Sequence, residues 1–369
     1  MEFFDTPVSD YAKKYVLQCL DSGRLSEGNW VRTFEMALEK NFGMRNVVAV
    51  NSGTSALHLA LVLAGVEQGD EVILPAQTFV ATGLAVLYCG AKPVFADIGM
   101  DGNISLEDLD KKITDRTRAI IAVSWGGNPC ELRSLYEYCE QSGTVLVQDN
   151  AHALGSTYED MDLSHFGDYN CYSFQAIKSL STGDGGALTC RMEWDAEKAR
   201  RLRWFGIDRE RDVVDETGER NYNLCEVGYK YHMNNVAAAI GLGNLHGFAV
   251  RQRRVKEIAK IYNEELYTHI PTRRMNKKEG CSYWLYDTVI ERRSDFMKAM
   301  RSRGVPVSIV HKGIVGKNKD GSDRNPVFGW KGELPVQEFW DEHHVCLPIH
   351  SGLTDDDVEK VVSSVQQGW

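Results

Sequence analysis

The chain has 369 residues, 43% of them hydrophobic and 25% charged, with 33 glycines; this composition excludes disordered, collagen-like and disulfide-scaffold classes. Its 42 basic residues against 52 acidic ones leave a net charge of −10, so the mean surface field is negative and no nucleic acid is expected as a partner. The cysteines, Cys19, Cys89, Cys130, Cys139, Cys171, Cys190, Cys225, Cys281 and Cys346, are scattered without a C-x-x-C pair, a pattern of reduced thiols with no metal site indicated.

The N-terminal stretch MEFFDTPVSDY is acidic and lacks the basic and apolar regions of a signal peptide. No run approaches the ~20 apolar residues of a membrane span, so a cytoplasmic protein with no membrane partner is expected. From about residue 45, short β-rich runs alternate with helical patterns, which predicts an α/β fold with a mostly parallel sheet. The predicted strands are Val47–Val50, Glu71–Pro75, Pro93–Asp97, Ala119–Trp125, Val145–Asp149, Cys171–Phe174 and Gly186–Cys190. Between the first two, Ala56, Leu59, Ala60 and Leu63 recur at helical spacing and predict one apolar helix face over Ser55–Leu63. Further helices are predicted over Val236–Leu245 and Arg251–Tyr267. The division expected there is a large domain, 1–248, and a small α+β domain, 249–369. A Lys/Gly/Asn/Asp-rich loop fills Lys312–Asn325, and a terminal helix starts near Thr354, whose hydroxyl precedes Asp355 and Asp356 as a plausible cap.

Three segments carry chemistry. Asn51-Ser52-Gly53-Thr54-Ser55-Ala56 joins a strand to a helix, where small residues, hydroxyls and unpaired N–H groups form either an anion cradle or an ordinary hydroxyl cap. The apolar strand Val145–Asp149 ends in a carboxylate, placed either to face a ligand beyond the strand end or to cap the next helix; His152, three residues on, reads by itself as a packed histidine. Lys178 lies in a small and apolar stretch before Gly183-Asp184-Gly185-Gly186. Such a lysine is a surface loop residue or, if desolvated, a Schiff-base nucleophile of lowered pKa.

Taken together, the order of these segments resembles that of the DegT/DnrJ/EryC1/StrS family of sugar aminotransferases, within the fold type I (aspartate aminotransferase-like) class. The resemblance is carried by NSGTSALHLAL at 51–61, GDEVILPAQTFVAT at 69–82, GAKPVFADI at 90–98, QDNAHALGS at 148–156, SFQAIKSLSTGDGGAL at 173–188 and GYKYHMNNVAAAIGL at 228–242. It implies a seven-stranded, mostly parallel sheet flanked by helices, and pyridoxal 5′-phosphate as cofactor. By the same likeness Lys178 would carry the cofactor linkage and move the proton, Asp149 would pair with the pyridine nitrogen, and His152 would sit near the ring hydroxyl. Phe79 would stack on the cofactor face. Gly53, Thr54, Ser55 and Ser173 would hold the phosphate, joined by Lys230 from the neighbouring subunit of a homodimer with shared active sites. The usual family form has Asn and Arg where this chain has Lys230 and His232.

Relatives that remove a sugar hydroxyl carry histidine at the lysine position. Lys178 therefore favours transamination, with L-glutamate as amino donor and a nucleotide-linked keto sugar as acceptor, in polysaccharide biosynthesis. A 4-keto-6-deoxyhexose is the first expectation for that sugar, with 3-keto hexoses and an 8-keto-octulosonate as alternatives, and a dehydratase as a different chemistry. Trp204-Phe205-Gly206-Ile207 and Val307–Asn325 depart from common family forms and are expected to border the sugar. Tyr283 and Trp284 read first as core aromatics and second as a stacking surface.

Overall fold

The computed structural model describes residues 1–208, 216–219, 222, 224, 226–270 and 279–369; Cys225 lies outside them. In chain order the elements are α1 (Asp10–Asp21), α2 (Asn29–Phe42), β1 (Val47–Val50), α3 (Gly53–Leu63), β2 (Glu71–Pro75), α4 (Val80–Tyr88), β3 (Lys92–Ala96), α5 (Leu106–Lys112), β4 (Thr117–Val123), α6 (Leu132–Ser142) and β5 (Val145–Asp149). A small hairpin of β6 (Thr157–Tyr158) and β7 (Met161–Asp162) comes next, then β8 (Tyr169–Ser173), β9 (Gly186–Cys190), α7 (Glu193–Leu202), α8 (Asn235–Leu245) and α9 (Phe248–Glu265). The last part holds β10 (Tyr286–Val289), α10 (Arg293–Ser302), α11 (Pro335–His343), β11 (His344–Leu347) and α12 (Asp355–Gln366).

Seven strands form one sheet in the order β1-β9-β8-β5-β4-β2-β3. β9 runs antiparallel to both β1 and β8, and the remaining pairs are parallel. Since β1 and β8 both oppose β9, they point the same way, and β1, β2, β4, β5 and β8 all deliver their carboxyl ends to one edge. Side chains alternate across a strand, and both faces are covered. Val48, Val50, Val72, Leu74, Ile121 and Val147 enter one core with α3 and α4, whereas Val47, Ala49, Ile73, Ile120 and Leu146 enter cores on the other side. Continuous apolar strands with two buried faces are the signature of parallel sheets in α/β folds.

One expectation is extended and another corrected in detail. α3 is buried from Ser55 to Leu61 and has no solvent face, because the sheet lies on one side and α4 and α7 on the other. β4 stops at Val123, short of the predicted Trp125, because Gly126 and Gly127 take positive φ of 59° and 90° and turn the chain into a short 3-10 turn, Trp125–Gly127. α1 and α2 have no counterpart in the sequence reading, although Ser9 caps α1 by accepting from the Ala12 N–H.

Beyond α8, a separate core unites Ile258 and Tyr262 of α9 with Phe296, Val345, Val361 and Val365. The β10–β11 pair is antiparallel, and Thr354 caps α12 in a capping box with Asp357. The segment 314–334 returns to the first core through Ile314, Val315, Phe328 and Leu334. Among the described residues, no helix is long and apolar enough to cross a membrane.

Candidate active site

The carboxyl edge of the sheet gathers the chemistry. β5 ends at Asp149, which is 5% exposed; its Oδ2 accepts from the Thr82 hydroxyl at 2.8 Å and its Oδ1 from the Ala151 N–H at 3.1 Å. Burial pushes the Asp149 pKa up, while Thr82, Ala151 and the Lys178 ammonium pull it back toward the charged form. Thr82 is itself held by the Thr78 hydroxyl at 2.6 Å. A carboxyl anchored in this way is able to hold a cationic group, which would favour its ionised form.

Lys178 lies on the connection between β8 and β9. The chain turns there through a hydrogen bond from the Lys178 N–H to the Gln175 carbonyl oxygen, 2.9 Å. Burial lowers its pKa from 10.5 to about 7, with Asp149 opposing the shift. The ammonium Nζ lies 3.8 Å from the centre of the Trp284 ring, a cation–π contact. Trp284 is anchored in turn by its Nε1–H, which donates to the Ile177 carbonyl oxygen at 2.9 Å. Near neutral pH a substantial share of a lysine so placed is unprotonated amine, the form that attacks a carbonyl carbon.

His152 is 5% exposed and stacks on Trp284 with centroids 3.9 Å apart. Its Nδ1 accepts from the Gly126 N–H at 3.4 Å, and its ring meets Trp125 edge-on at 5.2 Å. Trp125 is fixed by its Nε1–H, donating to the buried Asp287 carboxylate at 3.0 Å. Phe79, 51% exposed, stands at the mouth with the His311 ring 5.0 Å away. Burial, the Lys178 charge and His344 lower the His311 pKa to about 4, so this histidine is neutral across the physiological range.

The anion cradle is formed where α3 begins. Ser52 caps the helix by accepting from the Ser55 N–H at 3.1 Å, and the Ser55 hydroxyl donates to Asn51 Oδ1 at 2.6 Å. The Ser55 side chain therefore works within the cap, while Gly53, Thr54 and Ser173 are partly exposed. A Cβ on Gly53 would come within 3.0 Å of Ser173 Cβ, and one on Gly186 within 2.6 Å of the Ser52 backbone. The close approach of α3 to β9 thus needs glycine at 186, and its approach to β8 leaves little room for a side chain at 53.

The segment 228–232 runs past the same cradle: the Asn51 N–H donates to the Tyr231 carbonyl oxygen at 2.7 Å, and Asn51 Nδ2 donates to the Lys230 carbonyl oxygen at 3.2 Å. Lys230 Nζ lies over the Trp204 ring at 4.1 Å, and Trp204 meets His232 edge-on at 4.2 Å. The structure thereby joins Trp204, Lys230 and His232 in one cluster of the same chain. Asp149, His152, Lys178 and Phe79 are brought together with Thr82, Trp125, Trp284 and His311. Thr82 belongs to the 69–82 motif, and the signal that points to it is a hydroxyl one helical turn after Phe79. His311 falls in the 307–325 segment expected at the sugar, where no local pattern distinguishes it from its neighbours.

A mostly parallel sheet that presents a buried aspartate and a desolvated lysine at its carboxyl edge is the arrangement of fold type I enzymes, and the structural neighbours are sugar aminotransferases. The chain belongs to the DegT/DnrJ/EryC1/StrS aminotransferase family, whose profile matches residues 8–366. It is 30% identical over 373 residues to a GDP-perosamine synthase of Vibrio cholerae, covering 96% of this chain and 95% of that one. The structure of the sugar aminotransferase CalS13 from Micromonospora echinospora superposes with a TM-score of 0.92 at 30% identity, covering 100% of both chains. A Streptococcus pneumoniae protein, Spr1654, solved in a PLP-form, gives 0.88 at 25% identity, covering 100% of this chain and 98% of that one. Aminotransferases of this family depend on pyridoxal phosphate.

Proposed function

We propose that the chain moves an amino group from L-glutamate to a keto group of a nucleotide-linked deoxysugar, a 4-keto-6-deoxyhexose in the first instance, with pyridoxal phosphate as cofactor and a homodimer as the active unit. The observation that carries the reading is Lys178, a desolvated amine with a pKa of about 7 beside a buried carboxylate. The relative named GDP-perosamine synthase supports a nucleotide-linked sugar as acceptor.

The residues present fit pyridoxal phosphate. Asp149 is a buried carboxyl whose pKa burial pushes up, and a protonated ring nitrogen would supply the opposite charge that favours its ionised form. The crowded Gly53 and Gly186 positions leave backbone N–H groups at a helix N-terminus where a phosphate binds. When bound, the cofactor supplies an electron sink for the carbon that loses and regains a proton. Lys178 Nζ takes that proton as a neutral amine and returns it as an ammonium. Asp149 would hold the ring nitrogen, His152 would sit near the ring hydroxyl, and Phe79 would cover one ring face. Gly53, Thr54 and Ser173 would hold the phosphate together with Lys230 of the partner subunit, with Ser55 supporting them through the helix cap.

The test is incubation with nitrogen-15 glutamate and a panel of nucleotide 4-keto and 3-keto sugars, followed by mass spectrometry. Label in the sugar, absent with Lys178→Ala, is the expected result. A sugar product without nitrogen overturns the proposal in favour of a dehydratase.

A further inference from the structure

The indole of Trp125 meets His152 at the active site, and its nitrogen reaches a second polar cluster, on the β10–β11 pair. Asp287 and Cys346 are register partners across that antiparallel pair. His344 stands two residues before Cys346, so the alternation of a strand turns it to the same side. All three are buried, and among the described residues they form the one such group of metal-ligand side chains whose ligand atoms lie within 4.8 Å of one another. His344 Nε2 is 2.8 Å from Asp287 Oδ1, and Cys346 Sγ is 3.5 Å from each of them. The same carboxylate oxygen accepts from the Trp125 Nε1–H at 3.0 Å. Trp340 stacks on His344 with centroids 4.5 Å apart; it is fully buried, and its Nε1–H has no hydrogen-bond partner among the described residues.

These spacings suit a tetrahedral metal centre. Zinc bonds of about 2.0–2.1 Å to nitrogen and oxygen and about 2.3 Å to sulfur, at the tetrahedral angle, put nitrogen and oxygen about 3.3 Å apart and sulfur about 3.6 Å from each. Both sulfur distances already match, and the nitrogen–oxygen pair opens by about 0.5 Å when the metal takes the place of the proton between them. Charge favours the same ion, because a thiolate, a carboxylate and a neutral imidazole balance Zn²⁺ and leave the buried centre without net charge. On binding, the Cys346 thiol gives its proton to solvent and His344 carries its N–H on Nδ1. The Trp125 N–H is then the outer contact that orients the Asp287 carboxylate, and the Trp340 N–H is an unused donor for a water in the fourth position. We propose that Asp287, His344 and Cys346 bind a zinc ion that fastens the β10–β11 pair to the Trp125 wall of the site. Linear spacing gives no sign of it, because Asp287 and His344 lie 57 positions apart.

The experiment is titration of the tag-free full chain, stripped with a chelator, with Co²⁺ as a spectroscopic stand-in for zinc. One equivalent should produce the strong d–d absorption of tetrahedral cobalt, at longer wavelength than pyridoxal phosphate absorbs, and Zn²⁺ should bleach it. Cys346→Ser and His344→Gln should each weaken metal binding by about 100-fold or more, beyond the roughly 10- to 100-fold cost of disturbing an outer contact. Cys89→Ser, which removes the one thiol among the described cysteines that is not buried, should leave the titration unchanged. Zn²⁺ should also raise the melting temperature of the wild type and leave that of Cys346→Ser where it was. A wild type without tetrahedral absorption, absorption that persists at full strength in Cys346→Ser, or its loss in Cys89→Ser overturns the assignment. The wild-type spectrum decides by itself, so a variant that fails to fold does not rescue the zinc site.

Discussion

Replacing Lys178 by methionine should make the protein without cofactor more stable, and the gain should depend on pH. Lowering the lysine pKa from 10.5 to about 7 means that the fold penalises the ammonium by ~5 kcal/mol, at 1.36 kcal/mol for each tenfold change in proton affinity. The Trp284 face, 3.8 Å from Nζ, returns ~1–2 kcal/mol through the cation–π contact, leaving ~3 kcal/mol. Because the folded pKa lies below the unfolded one, the native state binds fewer protons between pH 7 and 10.5, and stability rises with pH across that window. The penalty is therefore full below pH 7 and gone above 10.5. Methionine has comparable length and no charge to desolvate. At about 2.1 cal/mol/K per residue, ~3 kcal/mol corresponds to a rise of roughly 4 °C in Tm for a chain of this size. Thermal unfolding of both apo proteins at about pH 6.5 and about pH 10, on either side of most of that window, checks this. A difference that is zero, or the same at both pH values, would refute the claim that Lys178 is held as a desolvated amine.

Two further outcomes concern the buried charges. Thr82→Val removes a hydrogen bond to a charged acceptor, worth ~1.5–3 kcal/mol, and raises the Asp149 pKa further. Affinity for pyridoxal phosphate, measured by fluorescence titration, should then fall more at about pH 6 than at about pH 8 relative to wild type, and a parallel loss at both would contradict it. Arg203 is 4% exposed and donates to Glu35, to Glu27 and to the Ala49 carbonyl oxygen at 2.6, 2.6 and 2.7 Å. Arg203→Met should cost ~3–5 kcal/mol by leaving the buried Glu35 carboxylate uncompensated, and an unchanged urea midpoint would show that the ion pair is not structural.

Much of the large sheet was legible because its strands carry their own signal. Glu71–Pro75 and Val145–Asp149 fall where the apolar runs placed them, since a strand buried on both faces needs little else to define it. Trp125 misled because an aromatic after a β-branched run reads as strand, while two glycines with positive φ turn it into the wall of the site. Local context left Lys178 and Asp149 with two readings each, and it was the order of the three segments that singled them out. Their supporting groups could not be singled out in this way: the Asp149–Thr82 and Trp125–Asp287 bonds join residues 67 and 162 positions apart, and only the folded sheet brings them together. Trp284, read first as core, is core and cation platform at once.

The connection that bears Lys178 leaves β8 at Ser173 and re-enters the sheet at Gly186, and these two residues face each other in the antiparallel register. The excursion is thus closed at its base like a drawstring, independently of loops elsewhere. A single residue added between Ser173 and Lys178 would change the reach of the amine from the sheet, whereas one added in a connection that does not touch this base would not lengthen that reach. The position of the lysine nitrogen is therefore set by strand pairing rather than by the segments at the periphery of the site.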